Sequence, residues 1–313
     1  MPRSYVYFSF VYTPFSGEDR DNNYNLSLLR WGCQTLIELN RRYPIQDPLI
    51  PKWREVLDNL APYPVDENGL RIGAGVAFTK SHRHWSHMLM VHPLHLMDVE
   101  RPENRSLISK SIQHWLTVDG SRGVYGWSRA AAASLQAALG DGDSAIDSIH
   151  RHLADPRFVR PNTMYIEGDP VIECSIVLDR SLQDMLLQSH GDLIRVFPAV
   201  PGAWKEAVFH NLRAEGAFLV SAARKAGKTQ WVRVKSLAGE PRRIKPSLDG
   251  EVNATVPLKN LGDGRYELTL SAGQEAMLNT GDKLPHPGVE ALASAPGDRN
   301  SFGVKLTPAA SQK

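Results

Sequence analysis

Residues 178–191 read LDRSLQDMLLQSHG, and in this stretch Leu178, Leu182, Met185 and Leu186 recur at the spacing of one helix face. Gly191 stands where a helix of that length would stop. After residue 192 the hydrophobic period falls to two. Phe218 and Val220 alternate with smaller residues, Val232 and Val234 with Arg233 and Lys235, and Tyr266, Leu268 and Leu270 with Glu267 and Thr269. Such alternation describes half-buried strands, and Ala226-Gly227 and Gly262-Asp263-Gly264 supply turns between them.

Toward the N-terminus the helical period dominates. Asn22 or Asn23 caps a helix whose apolar positions are Leu26, Leu29, Cys33, Leu36 and Ile37. A short helical piece is expected near Trp53–Leu60, within a proline-rich stretch, and residues 67–80 read as a turn leading into an extended stretch. Ile108, Ile112, Trp115 and Leu116 mark another helix, residues 128–139 an Ala-rich one stopped by Gly140-Asp141-Gly142, and Ile146, Ile149 and Leu153 a further one. Helices first and strands second describe an α+β chain of two domains, not one alternating sheet. The expected division is a helical region over 1–200, a β domain over 201–281 and a loose Pro/Ala/Ser-rich tail over 282–313.

The 313 residues suffice for a sizeable core. A net charge of +2 is too small to argue for nucleic acid or an anionic membrane, and no apolar run reaches the length of a membrane span. Cys33 and Cys174 are the only cysteines, so no disulfide framework exists. The opening MPRSYVYFSFVYTPF is aromatic and reads like the interior segment of a domain, so the chain is expected to begin partway through a larger protein.

Two constellations could carry chemistry. The first is His82-Arg83-His84-Trp85-Ser86-His87. On an extended strand His82 and His84 would point the same way. The cluster could bind metal, although no HExxH or CxxC accompanies it. It could be structural, or it could form a sugar pocket, because His, Arg and Trp together offer donors, acceptors and a flat stacking face. The second is acidic: Glu167, Asp169 and Glu173 in YIEGDPVIEC, residues 165–174. Carboxylates there could serve as acid and base in glycoside cleavage, or simply cap the following helix. Ala226-Gly227-Lys228-Thr229 imitates the end of a phosphate loop, but Ala222 occupies the place of the required glycine, and the segment reads as a hairpin turn.

Three motifs in order resemble glycoside hydrolase family 95. His82-Arg83-His84-Trp85-Ser86-His87 is similar to its HRH-x-SH run, Gly126-Trp127-Ser128 and Leu139-Gly140-Asp141-Gly142 to its GWS…LGDG segment, and MLLQSH followed by FPAVP and Trp204 to its MLLQSH…LPALP…W segment. The resemblance spans residues 20–235 and implies an (α/α)6 barrel followed by a small β-sandwich, with part of the barrel upstream of this chain. It implies an inverting exo-glycosidase, chiefly an α-L-fucosidase or α-L-galactosidase, acting on an oligosaccharide or polysaccharide without metal or cofactor. The family's catalytic base, an Asp, corresponds by its interval before MLLQSH to Glu173. The family's acid lies in an S-P-E segment, and the matching place here is Thr13-Pro14-Phe15, leaving Glu18 as the nearby carboxylic acid. The family's base-polarising asparagines lie further upstream. His82, Arg83, His84, Trp85, His87 and Trp127 would shape the sugar site. Because Phe15 cannot donate a proton, an alternative is a degenerate or truncated homologue that binds glycan without cleaving it. A third reading is another all-α barrel enzyme, such as a polysaccharide lyase with a Tyr or His base.

Overall fold

A computed structural model describes residues 6–7, 18–160, 162, 164–167 and 169–281, with the backbone alone at 6–7, 18–19 and 169. Phe15, the Glu18 side chain and the 282–313 tail lie outside the described residues. The chain forms two compact units, Met1–Leu139 and Gly140–Lys313.

The first unit is helical. A short pair of strands, β1 (Val6–Tyr7) and β2 (Glu18–Asp19), precedes α1 (Asn23–Arg42) and α2 (Ile50–Asn59). A hairpin of β3 (Val65–Asp66) and β4 (Gly69–Leu70) leads through an irregular segment to α3 (Pro102–Thr117) and α4 (Gly126–Ala138). Asn22 caps α1 as the sequence suggests, its side chain accepting from the Asn25 N–H at 2.9 Å. Asn23 is fully buried, and its amide donates to the carbonyls of Pro64 and Arg71 at 3.0 and 2.7 Å, tying α1 to the hairpin. The buried stripe of α1 is Asn23, Leu26, Ser27 and Cys33. Leu29 and Leu36, expected on that face, are exposed instead, together with Trp31 and Leu39. Small side chains let α4 sit close to its neighbours: Ala130 to Ala133 are fully buried, as are Ile108 and Trp115 of α3.

In the second unit α5 (Gly142–Leu153) is followed by a two-stranded ribbon, β5 (Ile166–Glu167) with β6 (Asp169–Pro170), and by α6 (Ile172–Leu186). The helix ends at Leu186, earlier than the sequence reading placed it. Residues Leu187–His190 form β7, which turns back into β8 (Leu193–Val196). Gly191 is the turn residue of this hairpin, not a helix stop: it and Asp192 have φ of 61° and 59°, the paired positive values a two-residue hairpin turn requires. Thus the β region begins at Leu187, inside the stretch read as helical domain.

The remaining strands are β9 (Ala207–Ala214), β10 (Phe218–Lys225), β11 (Lys228–Ser236), β12 (Pro241–Lys245), β13 (Asn253–Ala254), β14 (Leu258–Gly262), β15 (Arg265–Thr269) and β16 (Glu275–Asn279). They make two five-stranded sheets, ordered β13-β16-β11-β10-β9 and β14-β15-β12-β8-β7. All pairings in them are antiparallel except β8 with β12. Alternate residues of both sheets share one core, with Phe218, Val220, Val232 and Val234 from one and Ile194, Val196, Ile244 and Leu268 from the other. Arg242, buried on β12, holds Asp192 of the β7–β8 turn at 3.1 Å and Glu215 at 3.4 Å.

Two of the motifs in this unit serve packing. The Phe197 and Ala199 N–H groups donate to the carbonyls of Leu186 and Met185, at 2.7 and 3.2 Å, so FPAVP lies along the end of α6. Gly142, opening α5, presses against the same strap: a Cβ there would fall on the Ala199 carbonyl and Val200. Asp141 caps α5 through the Ser144 N–H at 3.0 Å, and Asp143 accepts from the Gly202 N–H at 3.0 Å. Gly142→Ala is therefore expected to destabilise the chain by ~1–3 kcal/mol although Ala favours helix more than Gly does. At Gly202 a Cβ would meet only the Asp143 carboxylate at 3.7 Å or beyond, and Gly202→Ala should stay within ~0.5 kcal/mol of the parent. Denaturant unfolding of both variants checks this, and equal midpoints would contradict the packing account.

Candidate functional site

In the first unit the segment after Ser81 has no strand partner among the described residues. His82 and His84 lie on an irregular backbone that enters a 3-10 turn at Ser86–Met88, not on the extended strand expected. Side chains from α3 and α4 hold this backbone instead. Trp115 Nε1 donates to the His82 carbonyl at 2.8 Å, and Ser128 Oγ donates to the Arg83 carbonyl at 2.9 Å. The Gly123 N–H donates to Ser81 Oγ at 2.8 Å, and a Cβ on Gly123 would meet the Ser81 carbonyl and His82 Cα at 2.6–2.9 Å. The bulky aromatic of the GWS motif stands beside its serine clamp for this reason: Ser128 points into the segment while Trp127 stands next to it.

These contacts gather half-buried rings. The His82 and His84 centroids are 5.2 Å apart, His84 meets Trp127 edge-on at 6.4 Å, and Trp85 packs on Trp127 at 5.6 Å and on Trp115 at 6.2 Å. Trp85 Nε1 donates to the His92 carbonyl at 3.2 Å. Arg83 is exposed at the edge, with Nε donating to His84 Nε2 at 3.2 Å. His82 Nδ1 accepts from the His84 N–H at 3.1 Å. These bonds assign the neutral tautomers, with the proton on Nε2 of His82 and on Nδ1 of His84. His87 is 2% exposed and stacked on Phe78 at 4.4 Å, so it lies in the core beneath the segment and not among the half-buried rings with which the sequence reading grouped it.

The imidazoles are held neutral. Burial, then the His84 and Arg83 charges, bring the His82 pKa down to about 4. Burial followed by Arg83 lowers that of His84. Burial, then His114 and His82, bring His87 down to about 3. Neutral rings whose accepting nitrogens are engaged within the segment keep one N–H donor each, and beside an indole face they suit hydroxyl oxygens and the C–H face of a sugar ring. Among the described residues no group of three or more His, Cys, Asp or Glu side chains is arranged to hold a metal ion.

The second unit carries the acidic stretch. Glu173 lies exposed in the first turn of α6, where a carboxylate also favours the helix N-terminus. Glu167 is half-buried on β5 and accepts a 2.7 Å hydrogen bond from the Tyr165 hydroxyl. Tyr165 is itself buried and stacked on His152 at 5.2 Å. The buried Cys174 thiol is pushed up to about 12, first by burial and then by the Glu167 charge, so it is an unreactive thiol. Of the two carboxylates in this stretch whose side chains are described, Glu167 is the one positioned by a hydrogen bond, although the sequence reading favoured Glu173. Tyr165 and Glu167 stand two apart on extended backbone, a spacing that puts both on one face.

Residues 19–170 match the family model for the glycosyl hydrolase family 95 catalytic domain, and residues 188–278 match that for the glycoside hydrolase family 95 C-terminal domain. The first match includes the His82–Trp127 cluster and Glu167 and stops short of Glu173; it begins just after Glu18. None of the curated proteins matches the chain.

The histidine environment predicts an acid limb of instability. The folded values for His82 and His87 lie below the ordinary 6.5, so between pH 6.5 and about 4 the unfolded chain binds protons that the folded chain does not. Stability contributed by these groups is present above pH 6.5 and is lost as the pH falls, by on the order of 1 kcal/mol per pH unit for each group. In His87→Asn the slope of unfolding free energy between pH 6 and 4.5 should be smaller than in the parent, as read by urea titrations at several pH values. An unchanged slope would show that His87 titrates normally.

Proposed function

We propose, from the premise that the chain belongs to glycoside hydrolase family 95, that it acts on a terminal α-L-fucosyl or related α-L-galactosyl residue of a glycan, releasing it with inversion. Its helical residues would then be part of an (α/α)6 barrel. The observation that carries this reading is the set of half-buried, neutral His82 and His84 rings held beside Trp85 and Trp127 within the region matching the family's catalytic domain. In this reading His82, His84 and Arg83 hydrogen-bond sugar hydroxyls and Trp127 packs on the ring. Glu173 removes a proton from the water that attacks the anomeric carbon, and Glu18, three residues beyond Phe15, is the nearby carboxylic acid left to protonate the leaving oxygen, which it does less well than an acid in the place of Phe15. The bond from the anomeric carbon to the leaving oxygen breaks as the bond to water oxygen forms on the opposite face.

A second assignment of the base has its own support. Glu167 is the carboxylate with a hydrogen-bonded orientation, through Tyr165, and it lies inside the matched region. A base must be aimed as well as present, and a fixed neighbour does this. Glu173→Gln and Glu167→Gln separate the two, since each removes a single basic oxygen while keeping shape.

Phe15 in the acid's place leads to a specific expectation for the purified chain. It should hydrolyse α-L-fucosyl fluoride, whose leaving group needs no proton, and be slower on natural fucosides by ~10²–10⁴ than an enzyme with its acid in place. Proton NMR of the first product should show β-L-fucose. Whichever of Glu173→Gln and Glu167→Gln abolishes fluoride hydrolysis identifies the base. Fast turnover of a natural fucoside would give Glu18 or another carboxyl group the acid role. No hydrolysis of the fluoride by a chain that still binds L-fucose would instead establish the non-cleaving, glycan-binding alternative.

A further inference from the structure

One end of the β-sandwich carries a cationic recess that the reaction does not use. The β10–β11 hairpin of one sheet meets there the loop after β12 and the β14–β15 turn of the other. They enclose a cavity of about 420 Å³ lined by Arg224, Lys228, Thr229, Lys245, Ser247 and Asp249. Among the described residues, three cations against one carboxylate leave two positive charges in excess. Among the described residues none of the three cations has a carboxylate within ion-pair distance, although most other basic strand residues of the sandwich do: Lys235 has Glu275, Arg242 has Asp192 and Glu215, Arg243 and Lys259 share Glu267, and Arg265 has Asp263. Lys205 stands at the rim, its backbone carbonyl accepting from the Gly227 N–H at 2.8 Å.

A second cavity of about 420 Å³ adjoins the first and shares Lys228, Thr229 and Asp249 with it. Its remaining lining is uncharged and polar, from Gln230, Asn279 and Thr280. Thr229 lines both, is 5% exposed, and its Oγ1 is buried with no hydrogen-bond partner among the described residues. The Nε of Arg224 is likewise buried and unpartnered. A ligand oxygen, or a water carried with it, would give such groups the partner they lack.

We infer that this recess is a second carbohydrate-binding site, selective for glycans bearing an oxyanion, with the anionic substituent among Arg224, Lys228 and Lys245 and the neighbouring sugar's hydroxyls against Gln230, Asn279 and Thr280. The inference rests on the family's carbohydrate substrate class and not on which carboxylate is catalytic. The anion is either the carboxylate of a uronic acid or a sulfate ester, which share the chemistry that a guanidinium and two ammonium groups recognise. A polynucleotide fits less well, because among the described residues no aromatic side chain lines either cavity to stack a base.

The test is binding by the full chain, measured by affinity gel electrophoresis and titration calorimetry with polygalacturonate, a sulfated galactan, a neutral glucan and a single-stranded oligonucleotide. Retention by polygalacturonate or by the sulfated galactan, weakened by salt and absent for the neutral glucan, is expected, and whichever retains the chain names the anion. Lys228→Gln/Lys245→Gln should weaken binding by at least about tenfold. Arg213→Gln/Lys235→Gln makes the same change in charge at the opposite end of the same sheet and should bind like the parent. No retention by either acidic glycan, equal loss in both double variants, or equal binding of the oligonucleotide would overturn the proposal. Hydrolysis of α-L-fucosyl fluoride by the same preparations keeps this outcome separate from the catalytic reading, since loss of binding with intact hydrolysis refutes only the second site.

Discussion

Two carbonyl groups, those of His82 and Arg83, have no strand to pair with among the described residues, and the presentation of the aromatic and imidazole cluster depends on how they are satisfied. A buried carbonyl left without a donor is costly. Trp115 of α3 and Ser128 of α4 supply those donors, and Gly123 lets the backbone come close enough to use them. Each clamp comes from a helix far along the chain, so the segment is irregular in backbone and still fixed in place. Fixation of this kind is what a binding surface for a rigid ring needs, since side chains ordered beforehand do not lose that freedom on binding.

The burial that orders the rings also sets their chemistry. His82, His84 and His87 remain neutral because charge is expensive where they sit. Neutral imidazole with its tautomer fixed is a directional partner for hydroxyl groups, and a poor general acid at neutral pH. On the proposed function this leaves proton transfer to carboxylates elsewhere. Glu167 and Glu173 differ in this respect: one is held by a tyrosine hydroxyl and partly shielded, the other stands in solvent at a helix N-terminus.

Much of this architecture could be read from the sequence, and the parts that could not share one cause. The helix of Leu26 and Cys33, its Asn22 cap, the Ala-rich α4 and the alternating strands β10, β11 and β15 were all legible, because local periodicity and capping decide them. The β7–β8 hairpin was not. Leu187 continues the apolar spacing of Leu182, Met185 and Leu186, so Gly191 reads as a helix stop, whereas pairing of β7 with β8, and of β8 with β12 some fifty residues later, makes the segment sheet. The strand expected at His82–His84 failed in the opposite direction, since a His-x-His alternation is held here by donors from helices. Leu29 and Leu36 were assigned to a buried face by spacing alone, while Asn23 and Ser27, polar and buried, were invisible to a hydrophobic pattern. The grouping of His82, His84, Trp85 and Trp127 was legible, since their rings do lie together; the core position of His87 was not, as it depends on its stacking against Phe78.

The most direct measurement of the central claim is a crystal structure of the chain soaked with an iminosugar analogue of L-fucose. The account predicts the analogue against Trp127, with hydroxyls within hydrogen-bond distance of His82 and His84 and the His82 and Arg83 carbonyls still held by Trp115 and Ser128. An analogue bound away from these rings, with the segment unmoved, would contradict it.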